Sequence, residues 1–250
     1  YEDIMIESAG FNPYEHRRFL QRYYSGEWAG SPAAGALFSV NPKTGDARIS
    51  GTLASLCGLE KALRDENENA VELSIQKILL MQAHSFFVGG IPMLFYGDEV
   101  GYTNDYSYKD DAGKSYDNRW MHRPLIDWSK NERRLQEDTV EYQLYNATKK
   151  LLSIRAGLPV VEDLNNHEWI APHNLHVAGF VRRRKGERPL FCLFNFSNLP
   201  AYLGWYALRE KDLQSETLFD YWSEEQFNVN DNNEHLIMAP YGFYLLEPRD

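Results

Sequence analysis

Two cysteines in 250 residues are too few for a disulfide framework. Cys57 falls in a helical pattern (LASLCGLEKAL) and Cys192 in an apolar run (LFCLFNF), which predicts buried, unreactive thiols. The seven histidines show no HExxH-type spacing, so no metal site is expected and no cofactor is implied. No apolar run reaches the roughly 20 residues of a membrane-spanning helix. Basic residues are in the minority: 26 Lys and Arg against 36 Asp and Glu leave a net charge of -10, which repels nucleic acid. Neither a membrane nor a nucleic acid is therefore an expected partner. Internal repeats and low-complexity tracts are also missing. The opening stretch YEDIMIESAG begins on Tyr1, is acidic and has no targeting character, so the natural N-terminus is expected to lie elsewhere.

What is abundant is apolar and aromatic. Hydrophobic residues make up 43% and charged residues 25%, the balance of a globular chain. Aromatics reach 14%, with 16 Tyr and 6 Trp. Such side chains offer a flat apolar face and a polar edge, which suits sugar rings as readily as it fills a core.

Residues 1 to about 52 look ordered but irregular. They hold Arg17, Arg18, Phe19, Tyr23, Tyr24 and Trp28, then AGSPAAGA and a turn at NPKTGD. A long aromatic segment without periodicity reads as a functional loop or subdomain on a larger scaffold. From Thr52 the pattern turns helical, with Leu53, Leu56, Leu59 and Leu63 on one face. A second helix begins near Ala70 and stops at Gly89-Gly90. IPMLFY (91–96) is then a continuous apolar run, expected as a strand buried on both faces of a parallel sheet. A third helix is predicted from about Arg134 to Arg155, closed by Gly157 and Pro159. Beyond residue 160 the period changes to two. Strands are expected at Glu168–Ile170, Leu175–Arg184, Leu190–Phe196, Thr217–Phe219, His235–Met238 and Phe243–Glu247, with a Lys185-Gly186 turn joining two of them. The fold class is thus α/β over 63–160, giving way to an all-β antiparallel sandwich over 161–250.

Chemistry concentrates in the loop that follows IPMLFY. Asp98 and Glu99 close the run, but adjacent strand residues point to opposite faces, so the two are not expected to work on one bond. Asp110, Asp111 and Asp117 read first as turn formers. Arg119-Trp120 is more telling, because an Arg fork holds a carboxylate or neighbouring hydroxyls in two directions, and Trp120 could pack beneath it. Asn146-Ala-Thr148 and Asn195-Phe-Ser197 match the glycosylation pattern, but they fall in a helix and a buried strand and are discounted.

GIPMLFYGDEVG resembles the eighth-strand motif of the α-amylase superfamily, glycoside hydrolase family 13. NDYSYKDDAGKSYDNRWMHRP resembles its sucrose-active branch, the amylosucrases and related sucrose hydrolases. YEHRRFLQRYYSGEW and GALFSVNPKTGDARISGT are similar to the subdomain that amylosucrases insert after the seventh strand. The resemblance implies the C-terminal part of a (β/α)8 TIM barrel with that inserted subdomain (1–62), the last αβ units (63–160) and the antiparallel β-sandwich (161–250). It also implies retaining glucosyl transfer from sucrose to an α-1,4-glucan acceptor, with sucrose and glucan as partners. The alternatives are a sucrose hydrolase of the same architecture and a non-catalytic carbohydrate-binding module. The family's catalytic Asp, Glu and Asp find no match here, so no catalytic residue is assigned. Arg119 matches the arginine that closes the bottom of the glucose pocket by pairing with an Asp, expected outside these residues. Arg17 and Arg48 match arginines on the acceptor side, and Phe19 a ring available for stacking. Asp98 is expected to order the loop after strand eight by hydrogen bonding.

On this reading IPMLFY has no partner strands within the 250 residues. The purified 250-residue polypeptide is expected to release no fructose from sucrose in a coupled assay. Clear turnover would contradict the assignment.

Overall fold

The computed structural model describes residues 12–229 and 234–249; the YEDIMIESAG stretch lies outside them. The chain divides into two compact units, one running to Ser74 and resuming over Val100–Glu132, the other Ile75–Glu99 and Arg133–Asp250.

The first unit opens with helix α1 (Pro13–Tyr24), started by Pro13 in the first turn and by Asn12, whose side chain accepts from the Tyr14 and Glu15 N–H groups. Strands β1 (Ala36–Phe38) and β2 (Arg48–Ser50) form an antiparallel ribbon in which Phe38 stands opposite Arg48. The single helix predicted from Thr52 is two short ones, α2 (Leu53–Cys57) and α3 (Leu59–Arg64). Gly58 separates them at φ +109, where a Cβ would meet Pro32 at 2.9 Å, so the break needs glycine. Helix α4 (Glu68–Phe87) gives its first residues to this unit and the rest to the second. The segment from Asp98 holds only short 3₁₀ turns before α5 (Trp128–Glu132).

The second unit holds helix α6 (Val140–Ala156). It starts at the Thr139 cap rather than near Arg134, because the Thr139 hydroxyl accepts the Tyr142 N–H. Strands β3 (His167–Trp169), β4 (Val177–Arg182), β5 (Leu190–Asn195), β7 (Thr217–Asp220), β8 (Gln226–Asn228) and β10 (Phe243–Arg249) make one antiparallel sheet in the order β3-β4-β5-β10-β7-β8. Strands β6 (Ala201–Gly204) and β9 (His235–Met238) pair separately, and a short helix α7 (Tyr206–Arg209) follows β6. Val181, Phe191, Leu193 and Leu246 of the large sheet share one buried cluster with Leu203, Leu236 and Met238 of the small one. The fold is mixed helix and antiparallel sheet. Cys57 and Cys192 are both free and buried, and burial pushes the Cys192 thiol far up.

The expected strand at 91–96 does not form. Residues 91–95 carry no regular structure, and Ile91 and Met93 are 82% and 86% exposed. A parallel strand needs neighbours to satisfy its N–H and C=O groups, and none of the described sheets includes this segment.

Within the second unit two arginines satisfy the carbonyls at the end of α4. Arg155 donates to Phe86 O and Gly90 O. Arg182, fully buried, donates to Phe87 O at 2.7 Å, to Asn166 Oδ1 at 2.5 Å and to Asp163 O. The last carbonyls of a helix have no intrahelical partner, and cations complement that end of its dipole. Arg182→Met keeps an apolar stem but strands these acceptors, and is expected to cost about 3 kcal/mol. A loss within about 0.5 kcal/mol in urea unfolding, the range of an ordinary surface change, would contradict that role.

Candidate functional site in the first unit

The loop 98–127 builds itself from side chains. Asp105, Asp111, Asp117 and Asp127 each accept, through Oδ1, the N–H two residues on, at 2.8 to 3.0 Å. These turns are the expected reading of the Asp-rich loop for Asp111 and Asp117. Asn104 anchors the loop to the ribbon and helices. Its Oδ1 accepts from Thr52 N at 2.9 Å, its own N–H donates to Ser55 Oγ at 2.9 Å, and its amide donates to Ala34 O. The Glu60 carboxylate completes the knot, accepting from Ser55 Oγ at 2.5 Å and Tyr106 OH at 2.7 Å. Farther along, Asn118 donates to Leu37 O at 2.7 Å and accepts from Ser50 Oγ at 3.2 Å, joining the loop to both strands of the ribbon.

Arg119 is therefore held at a defined place. Its Nε lies 2.9 and 3.0 Å from the two Asp117 oxygens and its Nη2 2.6 Å from Oδ2. The Asp117 side chain is mostly covered, 12% exposed, whereas the Arg119 side chain is 47% exposed. Arg119, by side-chain bond first and backbone N–H second, holds the Asp117 carboxyl down at about 2, and Asp117 in turn raises the Arg119 guanidinium. A depressed carboxyl gives stability above its ordinary pKa that is lost as pH falls through the lowered one, so the fork persists down to about pH 2. The guanidinium carbon also stands 4.6 Å over the Phe38 ring.

Among the described residues the carboxylate partner of Arg119 is Asp117 of the same loop; the Asp expected from outside these residues lies beyond them. One expectation about Arg119 changes: the ring beneath it is Phe38. Trp120 instead carries Lys114 and Arg123, each 5.3 Å from its centroid.

The other sequence candidates divide. Arg48 lies across the ribbon from Phe38 and is exposed. Arg17 pairs with Asp46 at 2.9 Å, two residues before Arg48, and Gln21 Nε2 donates to Ala47 O at 3.2 Å to hold α1 on that strand. Arg48 thus stands opposite the ring beneath Arg119, and Arg17 is tied to the residues just before it. Phe19 sits about 200° round the helix from Arg17 and packs edge-on against Trp28 at 5.0 Å, with Tyr23 at 5.7 Å. Asp98 belongs to the second unit. Burial first, then the Glu99 charge, pushes its carboxyl up to about 6. The carboxylate bonded to Gly97 N is that of Glu99, at 2.8 Å, while a backbone hydrogen bond at Phe95 offsets part of the rise at Asp98.

Sequence reasoning missed Asn104, Asn118 and Glu60. Asp-x-Arg over 117–119 carried a usable signal for the fork, since an Asp two residues before an Arg can cap its N–H and meet its guanidinium together. Among the described residues no group of three or more His, Cys, Asp or Glu could hold a metal ion.

No protein-family model matches the chain. Solved structures do. AmyP bound to maltose matches with a TM-score of 0.53 at 14% identity, over 70% of this chain and 35% of AmyP. The pullulanase of Anoxybacillus sp. LM18-11 with maltotetraose matches at 0.52 and 14%, over 80% and 26%. The α-amylase of Geobacillus thermoleovorans with acarbose matches at 0.50 and 16%, over 77% and 36%. The likeness is one of fold. This chain spans little more than a third of the longest-covered of these proteins.

Asn104→Ala removes the anchor and leaves the buried Thr52 N–H without its acceptor. Urea unfolding is expected to show a loss of about 2 kcal/mol. An unchanged midpoint would mean that the loop is held elsewhere.

Proposed function

We propose that this chain supplies the pocket-closing wall and acceptor side of a sucrose-using α-glucan glucosyltransferase of the amylosucrase type, in glycoside hydrolase family 13. In this proposal residues 1–62 are the inserted subdomain, 63–160 the last αβ units of a (β/α)8 barrel, and 161–250 a β-sandwich. The catalytic carboxylates come from strands outside these residues. The matched folds, solved with maltose, maltotetraose and acarbose, support an α-glucan as one partner.

The observation that carries the reading is the Arg119–Asp117 fork over Phe38. The fork spends Nε and Nη2 on the carboxylate, which leaves the Nη1 donors for a ligand hydroxyl. Because Asp117 already neutralises the guanidinium, the pair suits a neutral hydroxylated ring better than a phosphate. A two-point bond also fixes its plane, so the donors stay in one place as the sugar arrives. Such a wall contributes by positioning: it stops the glucosyl unit at a set depth while carboxylates from elsewhere act on its anomeric carbon. Arg48 and Arg17, linked to the same ribbon, then lie where the departing fructose or incoming glucan hydroxyls pass. Water competes with glucan for the glucosyl group, and the sucrose hydrolase alternative differs only in that outcome.

Arg119→Ala in the intact enzyme is expected to lower kcat/KM for sucrose at least about tenfold, a loss of about 1.4 kcal/mol of transition-state binding. Initial-rate measurement of fructose release checks this. A variant as active as the native enzyme would overturn the role of the fork.

A further inference from the structure

A hollow of about 320 Å³ lies in the second unit, well away in sequence from the Arg119 loop. The β7–β8 turn, the β9–β10 turn and α4 bound it. Its walls are rings: Trp222 and Phe227 from the first turn and strand, Tyr241 and Tyr244 from the second. Gln76 of α4 and Glu225 add polar groups. Its volume falls at the lower end of small-molecule sites, which are mostly apolar with a few placed polar groups.

The rings are fixed before any ligand arrives. Buried Asp220 accepts from Trp222 N at 3.3 Å, Ser223 N at 2.9 Å and Leu245 N at 2.8 Å, so one carboxylate locks the first turn against β10. Tyr241 N donates to Ser197 O at 2.9 Å. Both turns also contain a non-glycine residue in the left-handed region, Glu224 at φ 62 and Tyr241 at φ 50. Such backbones cost about 1 kcal/mol or more and gather at ligand clamps. Glycine would remove the cost at 241, yet the position carries a large ring that faces the hollow.

Charge narrows the ligand. The Lys150 ammonium lies 5.4 Å from the Trp222 centroid but is paired with Glu224 at 2.7 Å. The Lys77 ammonium lies 5.7 Å from the Tyr241 centroid, and the carboxylates of Asp220 and Glu225 stand at the hollow itself. With both signs present, a neutral ligand fits better than a phosphate or carboxylate. Flat rings with hydroxyl-binding groups at their edges fit instead the C–H faces and hydroxyls of a pyranose.

We infer that this hollow is a second, non-catalytic site for a short neutral α-glucan. The choice of α-glucan over another neutral sugar rests on the function proposed above; the ring geometry does not. In the intact protein labelled with fluorotryptophan, the Trp222 fluorine resonance can be assigned by its loss in Trp222→Phe. Titration with maltotetraose is expected to shift that resonance saturably, and Tyr241→Gly, which suits the left-handed backbone and so preserves the turn, is expected to weaken the effect about tenfold. A Trp222 resonance that does not move, or a Tyr241→Gly protein that saturates at the native concentration, would overturn the site. Sucrose turnover measured on the same sample keeps the two ideas apart: turnover with a silent Trp222 refutes only this site, and a responsive Trp222 without turnover refutes only the enzyme.

Discussion

A polypeptide segment with almost no regular structure still has to satisfy its N–H and C=O groups, and the loop from Asp98 to Asp127 does so with its own carboxylates and amides. Asp105, Asp111 and Asp117 follow one another at six-residue intervals, and each takes the N–H two residues on. Asn104 and Asn118 then fasten the two ends of that run to Thr52, Ala34 and Leu37. An unpaired buried backbone group costs as much as a lost hydrogen bond. A loop that pairs its own groups in this way has one stable shape, as a helix or sheet does. Everything proposed for Arg119 depends on that.

The same economy explains the electrostatics. Asp117 caps its short 3₁₀ turn through Oδ1 and holds the Arg119 fork with both oxygens, so one side chain shapes the backbone and aims the guanidinium. Asp117 neutralises the Arg119 cation, and the Nη1 donors remain. Phe38 beneath the guanidinium comes from a ribbon that Asn118 holds in place. Arg48, opposite Phe38, shares that ribbon. The site is therefore less a set of separate residues than one ribbon and one loop pinned together at Asn104 and Asn118.

How much of this was legible in the sequence varies with the range of the interaction involved. The strands beyond residue 160 were readable because alternation is local, and β4, β5, β7, β9 and β10 lie where period two places them. The three-residue strands β1, β2 and β8 are too short to show a period, and β6 hides behind Leu199-Pro200. The α2–α3 break turned on Gly58 being needed near Pro32, a contact 26 residues distant that no pattern displays. IPMLFY has the composition of a buried strand, but composition does not supply the neighbours that a strand requires, and the segment stays irregular and exposed. Arg119 stood out by residue type and motif, but Asp117 read only as a turn former, and here it also holds the Arg119 guanidinium. Phe19 came in through the same resemblance as Arg17; on α1 it lies about 200° round from Arg17 and packs edge-on against Trp28.

The most direct test of the central claim is a crystal structure of the intact protein with sucrose or a maltooligosaccharide bound in the barrel. The account predicts a glucosyl hydroxyl about 3 Å from Arg119 Nη1, with the Asp117 fork unchanged and Phe38 still beneath the guanidinium. A sugar seated in the barrel with Arg119 turned to solvent and no contact to the 98–127 loop would contradict it.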